Sequence, residues 1–261
     1  MAPNVKPTIV LVAGAFHTPR SYQQLTDALE SYGYEVHVPR LPTCNEARPP
    51  NADLASDTQL VRSYVESLVR AGRTVVAIGH SYGGQVVSNA LCGLGTETRS
   101  RKGLAGGVSK LIYMVGYALA KGKSTFDKFL EFGDAANAPL VFDVAEDGTM
   151  LVKNPNVLFG LESPGQRISE DEVAAYRETL CHWNGKGMLQ PLENEAWREI
   201  ESCYIYTQLD VSIPIPEQES MVKTLEKAGR EVKTASVESG HCPHFSTTQV
   251  VADTVNEMIQ A

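Results

Sequence analysis

The sequence lacks the usual marks of a secreted or membrane-bound protein. Its five cysteines are odd in number and contain no C-x-x-C pair, which predicts neither a disulfide framework nor a zinc ribbon. No apolar run approaches the length of a membrane span, residues 1–8 lack the pattern of a signal peptide, and no N-x-S/T acceptor site occurs. We therefore expect a cytoplasmic protein with reduced thiols.

Positive charge is also scarce in this sequence. The 23 Lys and Arg residues are outnumbered by 31 Asp and Glu residues, which gives a net charge of −8 at pH 7. Nucleic acids and anionic membranes select clustered Lys and Arg, so neither is an expected partner. The 261 residues, 43% of them apolar, suffice for a single domain over residues 1–261 with a full core. The sequence carries no signal of its oligomeric state.

Short apolar runs alternate along the chain with patterns of helical period. The runs at residues 9–12, 35–38, 74–78 and 108–115 predict strands, whereas Leu25 and Leu29, or Tyr64 and Leu68, recur at helical spacing. This alternation predicts an α/β fold, in which a mostly parallel, doubly wound sheet carries helices on both faces.

The alternation stops between about residues 118 and 198. Helical patterns occur there at 125–132 and 170–180, and we expect the segment to be an inserted helical cap over the edge of the sheet. Strands are predicted again at 203–207 and 232–237, followed by a last helix at about 246–259 with Ser246 as its N-cap. Because the strands resume at once, the segment interrupts one domain and does not form a second.

The sequence Gly79-His-Ser-Tyr-Gly83 joins the strand at 74–78 to a helical pattern that begins near Gln85. In this context the G-x-S-x-G pattern is typical of a nucleophile elbow, in which a strained turn exposes the serine, here Ser81. The two glycines let strand and helix pass closely, and the N-terminus of the helix favours a developing anion. The alternative is a glycine-rich turn with an incidental serine.

A nucleophilic serine needs a base, an acid that orients the base, and donors for the oxyanion. Asp210 follows the strand at 203–207 and is the predicted acid, the alternative being that it only caps a turn. His241 follows the strand at 232–237 and is the predicted base. The predicted oxyanion donors are the backbone N–H groups of Tyr82 and Ala15, with Phe16 as the alternative to Ala15.

Three other side chains are candidates for binding substrate: Phe16 and His17 in the loop after the first strand, and His244 near the last helix. His17 could instead satisfy a loop carbonyl, and His80, inside the elbow, is expected to have a structural role. The H-x-x-H spacing of His241 and His244 lies in a loop and lacks the one-face geometry of a helical metal motif. We therefore expect no metal at this site.

Four motifs carry a resemblance to a known family: Val12-Ala-Gly-Ala-Phe-His17, Gly79-His-Ser-Tyr-Gly-Gly84, Tyr206-Thr-Gln-Leu-Asp-Val-Ser-Ile-Pro214 and Gly240-His-Cys-Pro-His-Phe-Ser246. Together they resemble the α/β-hydrolase superfamily, and within it the plant methylesterase and hydroxynitrile lyase-like branch with its fungal and bacterial relatives. The resemblance spans nearly the whole chain.

The resemblance implies the α/β-hydrolase fold, a triad of Ser81, Asp210 and His241, an oxyanion hole of Ala15 and Tyr82, an apolar pocket under the cap, and no cofactor. The chain departs from the branch at Ala13, where those relatives usually carry a histidine that braces the loop. The cap matches only loosely, so the resemblance does not identify the substrate.

Three functions are compatible with these features. The first is a serine hydrolase that cleaves small, largely apolar carboxylic esters or lactones through an acyl-enzyme. The second uses the same triad as a hydroxynitrile lyase-like or carbon–carbon bond cleaving enzyme, which would need a cation near the leaving cyanide; Lys121, Lys123, Lys128, Lys153 and Lys186 are the lysines of the cap. The third is a non-hydrolytic ligand-binding or biosynthetic accessory protein, because a fold alone does not fix function.

Overall fold

The computed structural model describes residues 6–133, 138–161 and 168–261. The strands in these ranges are β1 (Thr8–Val12), β2 (Glu35–His37), β3 (Thr74–His80), β4 (Gly107–Met114), β5 (Phe142–Val144), β6 (Thr149–Val152), β7 (Trp183–Asn184), β8 (Glu201–Thr207) and β9 (Val232–Val237). The α-helices are α1 (Gln23–Ser31), α2 (Leu54–Arg70), α3 (Tyr82–Ala90), α4 (Thr96–Ser100), α5 (Thr125–Phe132), α6 (Ala138–Val141), α7 (Pro155–Leu158), α8 (Glu170–Arg177), α9 (Ile215–Lys227), α10 (Pro243–Ser246) and α11 (Thr248–Gln260).

Six strands form one parallel sheet in the order β2-β1-β3-β4-β8-β9. The predicted parallel α/β sheet is thus confirmed. In such a sheet the carboxyl ends of all strands lie at the same edge. The loops that follow β1, β3, β8 and β9 therefore meet there, and these loops carry Ala15, Ser81, Asp210 and His241.

Helices cover both faces of the sheet. The side chains of β1 alternate: Val10 and Val12 pack into a core with α2 and α3, whereas Ile9 and Leu11 pack into a second core with α1 and α11. This alternation is the two-residue period of a strand buried on both faces, and it explains why β1 reads as a continuous apolar run.

Helix α2 shows how local sequence sets the ends of these helices. Its N-cap is Asp53, whose carboxylate accepts a hydrogen bond from the backbone N–H of Ser56 at 3.1 Å. At the other end Gly72 has a φ of +82°, in the left-handed region where glycine ends a helix at little cost. The helix therefore begins earlier than the apolar spacing alone indicates.

The inserted segment, residues 118–198, is of mixed structure. It contains the expected helices α5 and α8, but also an antiparallel sheet in the order β5-β6-β7 that was not predicted from the sequence. The turn between β5 and β6 contains Asp147-Gly148, a dipeptide that favours hairpins, and Gly148 has a φ of +85°. Strand β7 joins from more than thirty residues away, a pairing that no local pattern reveals.

The prediction for the last helix was wrong at its start. The chain forms the short helix α10 first, and α11 begins only at Thr248. Ser246 is not an N-cap, because its hydroxyl bonds the hydroxyl of Ser239 at 2.7 Å and the carbonyl of Cys242 at 3.1 Å. Of the helices that the structure describes, none is long and apolar enough to cross a membrane.

Candidate active site

Ser81 occupies the sharp turn between β3 and α3. Its φ of 51° and ψ of −123° are strained values for a residue other than glycine. The turn brings strand and helix very close together: a Cβ on Gly83 would lie 2.2 Å from the carbonyl oxygen of Val12, and one on Gly79 would lie 2.8 Å from the Cα of Gly84. Only glycine fits at these two positions, which is the steric role that the sequence indicates.

The three side chains singled out in the sequence form one hydrogen-bonded chain. The Nε2 atom of His241 lies 2.9 Å from the hydroxyl oxygen of Ser81, and its Nδ1 lies 2.7 Å from Oδ2 of Asp210. The side chain of His241 is 5% exposed and that of Asp210 is fully buried. The loops after β3, β8 and β9 thus bring a hydroxyl, an imidazole and a carboxylate into the relay order that nucleophilic catalysis uses.

Asp210 is fixed by donors on both of its oxygens. Its Oδ1 accepts the backbone N–H groups of Ser212 at 2.7 Å and Ile213 at 3.0 Å, while its Oδ2 accepts the hydroxyl of Thr207 at 3.1 Å. These bonds satisfy a buried carboxylate and aim Oδ2 at the imidazole. Asp210 does bond a turn, as the alternative interpretation held, and it contacts His241 as well.

The candidate oxyanion donors face Ser81 from two elements. Tyr82 is the first residue of α3, and Ala15 and Phe16 of the β1 loop line the same cavity as Ser81. Phe16 has a φ of 68°. The N–H groups of Ala15 and Phe16 therefore both stand as candidates beside that of Tyr82.

The β1 loop is braced from behind despite the missing histidine at position 13. The N–H of Gly14 donates to the phenol oxygen of Tyr22 at 2.8 Å, and this phenol lies 2.7 Å from Nδ1 of His80. The Nε2–H of His80 in turn donates to the backbone carbonyl of His241 at 2.8 Å. One chain of hydrogen bonds therefore joins the β1 loop, the Ser81 turn and the His241 loop. The role of Tyr22 in it was not predicted from the sequence.

His17 and His244 do not line the cavity that contains Ser81, although both were candidates for binding substrate. Both are buried behind His241, where Nδ1 of His17 donates to the carbonyl of Ala15 at 2.6 Å and Nε2 of His244 pairs with the phenol of Tyr176 at 2.7 Å. Burial lowers the pKa of His17 to about 3 and holds that of His244 well below its usual value. His17 thus hydrogen-bonds a loop carbonyl, as its alternative interpretation held.

Within the described residues, one group of side chains could offer ligands to a metal ion: His17, Cys242 and His244, whose ligand atoms lie within 4.8 Å of one another. All three residues are buried, and burial raises the pKa of the Cys242 thiol. The S–H of Cys242 is placed to donate to Nε2 of His17 at 3.4 Å. Because burial keeps the Cys242 thiol protonated and the group offers only three ligands, it does not fit a divalent cation well.

Ser81 opens into a cavity of about 220 Å³, the inner cavity. Its lining is mostly apolar and comes from the inserted segment and from the loops after β1, β3, β4, β8 and β9: Ala15, Phe16, Ser81, Tyr82, Tyr117, Thr125, Phe129, Ala138, Val141, Phe142, Leu158, Phe159, Trp183, Met188, Val211, Ser212, Ile213 and His241. Phe16, a candidate for binding substrate, lies here. Lys and Arg are not represented among the described residues of this lining.

A second cavity of about 1070 Å³, the outer cavity, lies between residues 50–53 and the hairpin of β5 and β6. It shares Ala138, Phe142 and Met188 with the inner cavity, so these side chains form the wall between the two. In contrast to the inner cavity it carries charged side chains, namely Asp53, Asp143, Asp147, Lys153 and Lys186. This cavity was not predicted from the sequence, because the hairpin that forms one side of it was not predicted.

The comparison with protein families agrees with this architecture. Residues 9–254 match the model of the alpha/beta hydrolase family, and the chain belongs to this family. A probable hydrolase of Phoma sp. is 27% identical over 255 residues, which cover 97% of this chain and 98% of that protein. The protein is therefore a hydrolase of the α/β family.

Solved structures share the fold over nearly the full length. A pyrethroid hydrolase from Sphingobium faniae superposes with a TM-score of 0.74 at 21% identity and covers 98% of each chain. Polyneuridine aldehyde esterase, from the plant methylesterase-like branch, gives a TM-score of 0.74 at 17% identity and covers 97% of this chain and 99% of that one. The predicted α/β-hydrolase fold and the predicted family are confirmed.

Proposed function

We propose that this protein is a serine hydrolase that cleaves small, largely apolar carboxylic esters or lactones. The observation that carries the proposal is the continuous hydrogen-bonded chain from Asp210 through His241 to Ser81, at 2.7 and 2.9 Å, with Ser81 in a strained turn at an apolar cavity. We further propose that residues 118–198 act as a cap over this site within a single domain.

In the proposed reaction, Ser81 attacks the ester carbonyl while Nε2 of His241 takes the hydroxyl proton. Asp210 accepts the Nδ1–H of His241, which keeps Nε2 free as a base and stabilises the imidazolium that forms. The imidazolium then protonates the leaving alcohol, and the acyl group stays on Ser81. A water molecule that gives its proton to His241 releases the acid and restores the serine.

The negative charge on the carbonyl oxygen needs donors that are in place before the reaction. The backbone N–H groups of Tyr82 and Ala15 are the proposed pair, because Tyr82 begins α3 and both residues line the inner cavity. The N-terminus of α3 adds its dipole to the same site. Each donor of this kind typically contributes about 3 kcal/mol at the transition state.

The inner cavity supports the choice of substrate class. Its 220 Å³ and its aromatic and aliphatic lining suit a small apolar acyl group better than a charged one. Two of the structural neighbours are named as a pyrethroid hydrolase and an aldehyde esterase, which favours ester hydrolysis in general.

A cyanohydrin lyase would need a cation near the leaving group, and the lysines of the inserted segment lie elsewhere. Lys128 is bonded to Glu131 and Ser220 at 2.9 Å each, Lys153 and Lys186 line the outer cavity, and Lys121 and Lys123 are exposed. The described lining of the inner cavity thus favours hydrolysis over lyase chemistry.

The decisive experiment is Ser81→Ala, assayed with p-nitrophenyl esters of increasing acyl length, methyl esters and lactones. We expect kcat to fall by at least about 10⁴-fold, because the residual rate would come only from binding and the oxyanion donors. Ser67→Ala is the matched control, since this serine is exposed on α2 and bonds only its own helix. Ester turnover that survives Ser81→Ala would end the proposal.

Two further outcomes separate the alternatives. Cyanide release from a cyanohydrin without any ester turnover would favour a lyase. Failure of a fluorophosphonate to label Ser81 in the wild-type protein would favour a binding protein without turnover.

A further inference from the structure

Asp57 is a buried carboxylate on the apolar face of α2. It follows Leu54 by three residues and precedes Val61 by four, so it occupies a helical position that otherwise holds core side chains. It is fully buried, and the salt bridges among the described residues do not include it. A carboxylate in such a place is costly unless donors satisfy it.

Three donors converge on Asp57. The backbone N–H of Thr43 donates to Oδ1 at 3.0 Å, while the hydroxyl of Thr43 and the phenol of Tyr82 donate to Oδ2 at 2.7 and 2.9 Å. All three are donors at once, so the site requires an acceptor at both oxygens. An asparagine would put its own N–H group against one of them.

Tyr82 is the residue directly after Ser81, and its side chain is held at both ends. Its backbone begins α3 beside the serine, and its ring packs edge-on against Trp183 with centroids 5.0 Å apart. A Cβ on Gly187 would lie 2.4 Å from the phenol oxygen, so the space around the phenol is filled. The position of the phenol therefore constrains the first turn of α3.

The same anchor reaches the inserted segment. The indole N–H of Trp183 donates to the hydroxyl of Thr43 at 3.1 Å, and this hydroxyl donates in turn to Asp57. Trp183 and Tyr82 both line the inner cavity. Trp183, whose ring is placed to contact the substrate, is thus linked to Asp57 through Thr43. Tyr82, which offers a proposed oxyanion donor, is bonded to Asp57 directly.

We propose that Asp57 is a positioning residue for the oxyanion hole, which acts through the phenol of Tyr82 to hold the first turn of α3 against Ser81. The proposal rests on the proposed function, because it assigns Asp57 a role in the same reaction. Since the oxyanion donor matters only when charge develops on the substrate, loss of Asp57 should weaken the transition state more than the bound substrate.

The test compares Asp57→Asn, Tyr82→Phe and the double variant. For each we expect kcat to fall about tenfold with KM within about twofold, because a small displacement of a donor costs rate more than binding. The double variant should be no slower than the worse single variant, since both break one contact. Affinity for an alkyl trifluoromethyl ketone, which forms a tetrahedral adduct on the serine, should fall in step with kcat, whereas affinity for the matching methyl ketone should not.

Tyr64→Phe is the matched control. Tyr64 also belongs to α2, but its phenol bonds Nδ1 of His37 at 2.6 Å and it lines neither cavity. Its kcat and inhibitor affinities should stay at wild-type values. If Asp57→Asn does not fold, Tyr82→Phe decides alone, because it removes the same contact and leaves the carboxylate with two donors.

An unchanged kcat in Tyr82→Phe, additive losses in the double variant, or equal losses of both ketone affinities would overturn the proposal. Labelling of Ser81 by a fluorophosphonate separates it from the proposed function. If wild-type protein cleaves no ester but is labelled, only the ester proposal fails, and the labelling rates of the variants replace kcat. If wild-type protein is not labelled either, both proposals fail.

Discussion

Polar side chains are buried at the carboxyl edge of the sheet, whereas several apolar side chains of the inserted segment are exposed. At the edge, Ser81, Asp210 and His241 are buried, and their polar atoms bond one another or nearby backbone. In the inserted segment, Leu140 is 76% exposed and Val157 is 61% exposed, while Asp147 pairs with Arg48 in a half-exposed salt bridge. The hydrogen bonds at the edge hold Ser81, His241 and Asp210 in one arrangement, whereas exposed side chains of the segment can be exchanged without disturbing it.

This contrast suggests a division of roles, in which the edge of the sheet carries the reaction and the inserted segment sets substrate preference. The bonds that orient His241 come from the loops after β3 and β8, which the parallel sheet brings together. The inner cavity, by contrast, takes half of its lining residues from the inserted segment. We therefore expect changes at the edge to abolish function or folding, and changes in the segment to alter which substrate is preferred.

The largest expected effect is a difference in the free energy of unfolding between two glycine variants, one in each region. In Gly83→Ala the new Cβ would lie 2.2 Å from the carbonyl of Val12 and 2.7 Å from that of Ala13, both of them backbone atoms that cannot move aside. We expect a loss of at least about 4 kcal/mol in the free energy of unfolding, or no soluble protein. In Gly148→Ala nothing lies within 4 Å of the new Cβ, and the φ of +85° alone should cost about 1 kcal/mol.

Urea unfolding measures both values. Equal midpoints for the two variants would contradict the comparison, because they would mean that the Ser81 turn tolerates displacement as well as the hairpin does.

The buried histidines behind the site should make stability depend on pH. Burial lowers the pKa of His17 to about 3 and holds the pKa values of His80 and His244 well below their usual range. The unfolded chain therefore binds more protons below about pH 6.5, and stability is lost as the pH falls from there toward 3, by up to about 1.4 kcal/mol per unit for each histidine. Asp57 opposes this trend, because burial raises its pKa to about 6.

Urea unfolding between pH 7 and pH 5 tests this dependence. His244→Phe should reduce the slope of stability against pH, because it removes one of the buried neutral histidines. A slope in His244→Phe equal to that of the wild type would show that His244 is not held neutral in the folded protein.

The sequence predicted the edge far better than the segment, for a physical reason. A strand, a turn and a helix around Ser81 are encoded within about fifteen residues, and a parallel sheet then fixes where the acid and the base must follow. The pairing of β6 with β7 depends on residues far apart in the chain, and its only local signal was Asp147-Gly148.

Side-chain direction was the other limit. Phe16 adopts a φ of 68°, which turns its ring into the inner cavity and the next side chain, His17, behind the site. The position of Asp57 is visible in the sequence, since an acid on the apolar face of a helix needs a partner. That partner, Tyr82, could be identified only from the fold.

The smallest expected effect concerns the wall between the two cavities. Phe142 stacks on Phe16 with ring centroids 5.7 Å apart and lines both cavities, so Phe142→Ala would open the inner cavity of about 220 Å³ to the outer cavity of about 1070 Å³. We expect kcat/KM for a p-nitrophenyl octanoate to rise about tenfold relative to the acetate, because the longer acyl chain gains apolar contacts beyond the wall. Leu151→Ala is the control, since this exposed side chain lies on the same hairpin outside both cavities. If both esters change by the same factor in Phe142→Ala, the ring holds the hairpin in place and does not divide the cavities, and selectivity would then belong to the edge as much as to the inserted segment.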